Sequence, residues 1–87
     1  MTAIVTLIGK PDCHLCDDAR AVIETVLQDV PRDQISRREL SILDDEGLHE
    51  RWWEKIPVVM VNDQVIAHWR IDADRLRAAL AEAGAPR

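Results

Sequence analysis

The hydrophobic pattern changes period abruptly at two cysteines, and that change limits the chain to few folds. Ala3 to Ile8 is a nearly continuous apolar and β-branched run, closed by Gly9-Lys10-Pro11. A run with so little polar alternation predicts a strand buried on both faces, which suits a parallel central strand. From His14 onward Leu15, Ala19, Val22, Ile23, Val26, Leu27 and Val30 recur at helical spacing until Pro31. This predicts one amphipathic helix ended by that proline. Ser36 to Ile42 reads as a second strand, with Leu40 and Ile42 on one face and Arg37 and Glu39 on the other. Strand, helix and strand in so short a stretch form a βαβ unit, whose crossover is right-handed in about 98% of cases.

Asp44-Asp45-Glu46 supplies N-cap and first-turn acids for a short helix carrying Leu48 and Trp52 on one side. Val58 to Val61, then Asn62-Asp63, then Gln64 to His68 reads as an antiparallel hairpin. Its first strand is apolar throughout and should be central. Asp72 caps a last helix with Leu76, Ala79, Leu80 and Ala83 on its buried face and Gly84 near its stop. The order βαβαββα gives an α/β fold: a four-stranded mixed sheet with three helices. With 87 residues there is room for one domain, spanning 1–87. A domain of this size has a modest stability margin.

With no Phe or Tyr, the core must be built from aliphatics, and only Trp52, Trp53 and Trp69 are large. A formal charge of −5, with no basic cluster longer than Arg37-Arg38, argues against nucleic-acid binding. Met1 to Ile8 lacks a basic leader and is too short to span a membrane, so a cytoplasmic protein without membrane attachment is expected. Structural disulfides are rare in that compartment. The only two cysteines, both in Cys13-His14-Leu15-Cys16, are therefore read as redox-active or metal-binding.

The motif follows a strand and opens a helix. The thiolate is the nucleophile of disulfide exchange, and unpaired N–H groups at a helix N-terminus favour it. Cys13, at the terminus, is the expected nucleophile; Cys16, one turn further in, is the expected resolving cysteine. His14 and Lys10 add positive potential nearby, while Asp12, Asp17 and Asp18 oppose it. A zinc or iron–sulfur site is the competing reading. Structural zinc asks for four ligands, no second C-x-x-C exists, and His14, His49 and His68 are scattered, so no metal ligands are assigned.

Ile56-Pro57-Val58 begins the third strand, a place that admits proline at a strand's first residue or in a special turn. The Ile56–Pro57 bond is either an ordinary trans strand start or a cis bond that presents the Ile56 backbone N–H and C=O to an extended substrate. The full order, with Lys10-x-x-Cys13-x-x-Cys16 and then Ile56-Pro57-Val58 and a hairpin, resembles the glutaredoxins, from Val5 to about Leu80. It is most similar to short glutaredoxin-like proteins with Cys-His-Leu-Cys-Asp-Asp. The resemblance implies a thioredoxin-like fold of the glutaredoxin type, a cis Pro57 beside the cysteines, and Cys13 as nucleophile. It further implies that Lys10 pairs with a carboxylate and that Ile56 bonds the substrate backbone. Asp72 lies near the acid that holds the γ-glutamyl end. Lys10, His14, Ile56, Pro57 and Asp72 are thus the candidate substrate-binding residues.

The chain departs from the family where His14-Leu15 replaces Pro-Tyr, and where Ala67-His68-Trp69-Arg70 replaces a Gly-Gly pair. Those glycines allow close approach to the backbone, so His68 and Trp69 are expected to reshape the site. Trp52, in register with Leu48, is expected in the core. Trp53 or Trp69 is expected to form an apolar rim for a partner. Arg75 and Arg77 are expected on the exposed face of the last helix with no function. The expected function is thiol–disulfide oxidoreductase, as a monomer. It would act on a disulfide-containing protein or on glutathione mixed disulfides. No cofactor is bound; glutathione as co-substrate or another thiol system restores the dithiol. The alternatives are a non-catalytic redox-sensing or binding module, and a metal carrier.

Overall fold

The computed structural model describes residues 3–83, so Gly84 lies outside the described residues. The elements are β1 (Ala3–Gly9), α1 (His14–Leu27), a 3₁₀ turn (Arg32–Gln34), β2 (Ile35–Ser41), α2 (Glu46–Trp52), β3 (Val58–Val61), β4 (Gln64–His68) and α3 (Ala73–Glu82). The strands lie in the order β2-β1-β3-β4. β1 pairs parallel with β2 and antiparallel with β3, and β4 returns antiparallel to β3. The two apolar runs, β1 and β3, are the interior strands, because only a strand covered on both faces can bury nearly all its side chains; Ile4 and, in part, Met60 are the exceptions.

Alternation along the strands builds two cores. Ala3, Val5 and Leu7 of β1, with Val59 and Val61, face α1 and α3 and pack with Ile23, Val26, Leu76 and Leu80. Ile8, Val58 and Ile42 face the other way, against Leu40, Leu48, Trp52, Ile56 and Met60. A one-residue slip would exchange these sets, so the pattern fixes the register. Each fully buried Ile, Val or Leu contributes about 1.5–3 kcal/mol.

Helix α1 stops at Leu27, short of Pro31. Asp29 N–H bonds Val26 O at 3.2 Å and Val30 N–H bonds Leu27 O at 3.2 Å, tighter three-residue steps that unwind the last turn. Val30 precedes proline, which disfavours helical backbone there. Leu15 also departs from the expected buried face: it is 37% exposed, and the buried residues of α1 are Cys16, Ala19, Ile23 and Val26. β2 covers Ile35–Ser41 rather than 36–42, although Ile42 N–H still reaches Gly9 O at 2.9 Å.

Arg20 ties α1 to the edge strand β2. Its guanidinium donates to both Glu39 oxygens, at 2.9 and 2.8 Å, and to Asp17 at 2.7 Å. The hydrogen bonds from Arg20 hold the Glu39 carboxyl below the usual carboxylate range, against a smaller opposing effect of burial. Arg75 is not idle on its helix: Nε donates to Ile66 O, occupying a carbonyl of the other edge strand, β4. Asp45 caps α2, accepting from Gly47 N–H at 2.7 Å and Leu48 N–H at 3.2 Å.

Candidate functional site

The C-terminal end of β1 and the N-terminal end of β3 coincide, since Ile8 pairs with Val58. Gly9 and Pro57 are the next residues at that end, and the chain after Gly9 turns directly into α1. Asp12 adopts a left-handed backbone, φ 57°, in that turn. An Asp is among the few side chains that accept this region readily.

Cys13 is the N-cap residue of α1. Its backbone is extended, φ −121° and ψ 109°, and its Sγ accepts from Cys16 N–H at 3.2 Å. Sulfur here takes the place that a Ser or Asp oxygen usually fills. An N–H aimed at that sulfur, at the positive end of a 14-residue helix, favours negative charge on it. The two cysteines are joined as a disulfide with Cα atoms 5.2 Å apart, within the ordinary span for such a bond. They differ in access: Cys13 is half-buried and Cys16 fully buried.

Cys16 is sealed from below by Gly9. A Cβ built on Gly9 would sit 2.8 Å from Cys16 Sγ and 3.2 Å from its Cβ. Only glycine leaves the sulfur its place, a role that nothing in the local pattern of the first strand announces.

The Ile56–Pro57 peptide bond is cis, and Pro57 is buried. Ile56 does not present both backbone groups, as the sequence led one to expect. Its N–H is bonded to Trp52 O at 3.1 Å, closing the end of α2. Lys10, just before the motif, and His14, within it, are exposed. Lys10 borders a shallow cavity of about 300 Å³ shared with Arg20, Glu39 and Asp44. Asp72 is exposed at the start of α3, its carboxylate accepting from Asp74 N–H at 3.0 Å. Its carboxylate thus caps α3.

Trp69, expected from the sequence as an apolar rim and, with His68, as reshaping the site, has a backbone that the sequence does not announce. It sits at φ 69°, in the left-handed region, with Arg70 N–H bonded to His68 O at 2.9 Å across it. This is a γ-turn of the strained hand. For a bulky residue such backbone costs on the order of 1–3 kcal/mol. Three contacts hold it. Trp69 N–H donates to Pro57 O at 2.8 Å, its indole Nε1 donates to Glu54 O at 2.8 Å, and the ring meets His68 edge-on at 4.7 Å. Trp69 nevertheless remains 51% exposed. Between it and Leu15 of the cysteine motif lies a cavity of about 160 Å³, with Ile71, Asp18 and Arg70 also on its wall.

Among the described residues, no group of three or more His, Cys, Asp or Glu side chains comes close enough to hold a metal ion. Nor is any helix of the described residues long and apolar enough to cross a membrane.

Comparison with known proteins follows the same lines. The profile of the Glutaredoxin-like domain (DUF836) matches residues 4–81. A curated relative, "Glutaredoxin-like protein YDR286C homolog" of Dictyostelium discoideum, is 31% identical over 77 residues, covering 83% of this chain and 69% of that protein. Among solved structures, protein Ne2328 from Nitrosomonas europaea superposes with a TM-score of 0.75 at 20% identity, over 91% of this chain and 92% of the other. A chloroplastic thioredoxin z superposes with a TM-score of 0.72 at 11% identity, over 95% of this chain and 79% of its own. These two likenesses establish the thioredoxin fold.

Proposed function

Because the chain belongs to the Glutaredoxin-like domain family, we propose that it is a small thiol–disulfide oxidoreductase with Cys13 as nucleophile and Cys16 as resolving thiol. The observation that carries this reading is the N-cap geometry: the accessible sulfur accepts the Cys16 N–H at 3.2 Å. The other sulfur lies buried behind it.

In the reaction, the Cys13 thiolate attacks one sulfur of a substrate disulfide. That S–S bond breaks, the second substrate sulfur leaves as a thiolate, and it takes a proton from water. Cys16 loses its proton to solvent and attacks Cys13 Sγ, breaking the mixed disulfide and releasing the second substrate thiol. The protein gives up two electrons and is left with the Cys13–Cys16 disulfide. Two equivalents of an external thiol, or one dithiol, return the electrons.

The substrate we propose is a disulfide-bearing protein, with glutathione mixed disulfides second. The bonded Ile56 N–H removes one of the two backbone groups that would align glutathione. Large side chains at His68 and Trp69 stand where close approach would be needed. We place the protein in the cytoplasm as a monomer, without nucleic-acid or membrane partners. Lys10, His14, Pro57 and the exposed Asp72, which also caps its helix, border the substrate in this reading.

The test is turnover of hydroxyethyl disulfide and of a disulfide-bonded protein. Each is coupled in turn to glutathione with its reductase and to a thioredoxin-type reductase system. Turnover in either system that Cys13→Ser abolishes supports the reading. A protein that cycles between its dithiol and disulfide but turns over neither substrate is a redox-sensing module instead.

A further inference from the structure

We infer that Trp69 is a specificity-determining residue. Its indole receives the apolar side chain next to the half-cystine of a polypeptide substrate. The inference rests on the thiol–disulfide reading and names the kind of polypeptide that reading takes.

Folding alone gives little reason for a tryptophan at this position. Its backbone lies in the left-handed region, φ 69°, where glycine or asparagine is at ease. About half of its surface, 51%, still faces water, so much of its apolar area gains nothing from burial. Yet the ring is fixed. Nε1 donates to Glu54 O at 2.8 Å, the backbone N–H donates to Pro57 O at 2.8 Å, and His68 abuts the ring at 4.7 Å. A large aromatic surface held rigid before binding is the arrangement that anchors an interface, because little side-chain freedom remains to be lost.

The position of the ring identifies the occupant. The cavity between Trp69 and Leu15 abuts the cysteine motif itself, since Leu15 lies between Cys13 and Cys16. Its volume, about 160 Å³, is close to the ~150 Å³ that accepts a benzene-sized apolar group. Leu15, Ile71 and the indole line it, with Asp18 and Arg70 also on the wall. A leucine or phenylalanine side chain matches the part of that wall formed by Leu15, Val22, Ile71 and the indole, with Asp18 and Arg70 at its polar side.

Two eight-residue peptides test this. Each carries one cysteine as a mixed disulfide with 2-mercaptoethanol, and they differ only in Phe or Ser beside the half-cystine. The quantity read is the ratio of their second-order rate constants with the reduced full chain. That ratio is insensitive to any general change in the dithiol, because both peptides meet the same one. Wild type should favour the Phe peptide by about tenfold or more. Trp69→Gly, which suits the backbone at that position, should bring the ratio close to one. Trp69→Phe, which keeps an aromatic face, should retain most of the preference. A wild-type ratio near one, or a preference that survives in Trp69→Gly, overturns the inference while leaving the oxidoreductase reading intact. If neither peptide reacts with wild type, the oxidoreductase reading itself fails and the inference falls with it.

Discussion

Gly9 and Cys16 are in contact to the limit of van der Waals space: a methyl group on Gly9 would come within 2.8 Å of the Cys16 sulfur. Gly9→Ala should therefore push either the first turn of α1 or the sulfur outward. A buried overpacked methyl costs about 1–3 kcal/mol. The oxidised protein should lose more than the reduced one, since the Cys16 sulfur is tied to Cys13 only in the disulfide. Urea unfolding of both forms checks this; equal losses would show that the sulfur is not what the methyl meets.

The helix cap makes the two thiols chemically unequal. Iodoacetamide should modify Cys13 first, with a rate-against-pH inflection below the ~8.5 of a free cysteine. Cys16 should react slowly at every pH, because it is buried. With Cys16→Ser, a stable mixed disulfide on Cys13 should accumulate and appear as added mass. An inflection at or above 8.5 for Cys13 would remove the electrostatic argument for its role.

The Arg20–Glu39 clasp predicts a pH signature. Glu39 has its folded-state pKa lowered by the hydrogen bonds from Arg20, so its contribution to stability is fully present above the unfolded glutamate value, about 4.3. It is lost as pH falls through the lower folded value. Both side chains are partly exposed, 33% and 45%, so the pair should contribute only about 0.5–1 kcal/mol at neutral pH. The gap in stability between wild type and Glu39→Gln should narrow below about pH 4. A gap that stays constant down to pH 2 would rule the clasp out as its source.

Two leucines on helices give opposite expectations. Leu76 is completely buried against the sheet, and Leu76→Ala should cost about 2–5 kcal/mol. That is a large share of what so small a domain has. Leu15 is 37% exposed, and Leu15→Ala should change stability by no more than about 0.5 kcal/mol. Thermal melts of the two variants check the pair.

These residues also show which features the sequence carried. The hairpin Val58–Val61 and Gln64–His68 was legible because a β-branched run on either side of Asn62-Asp63 is a local signal, and Asn62 tolerates its φ of 57°. The caps at Asp45 and Asp72 were legible for the same reason. Leu15 misled because helical spacing says which residues share a face, not where the sheet beneath that face ends. The Gly9–Cys16 contact depends on how the turn after β1 folds back on the strand, and the left-handed Trp69 is held by Glu54 and Pro57, more than ten residues away. No periodicity in the sequence encodes these two. The cysteine pair at a helix start was legible; the left-handed backbone of Trp69 was not.

β1 and β3 occupy the interior of the sheet, and both end at the cysteines and the cis proline. Local opening begins where backbone bonds are few and exposed, at edges and chain ends. The frame that carries the two cysteines is therefore among the last parts to come undone. Fraying of β2 or β4 leaves it standing, and when it gives way the rest has already gone. The fold-dependent part of the proposed disulfide turnover should thus be lost in step with global unfolding, which makes it a usable gauge of intact chains in a heated or denaturant-treated sample.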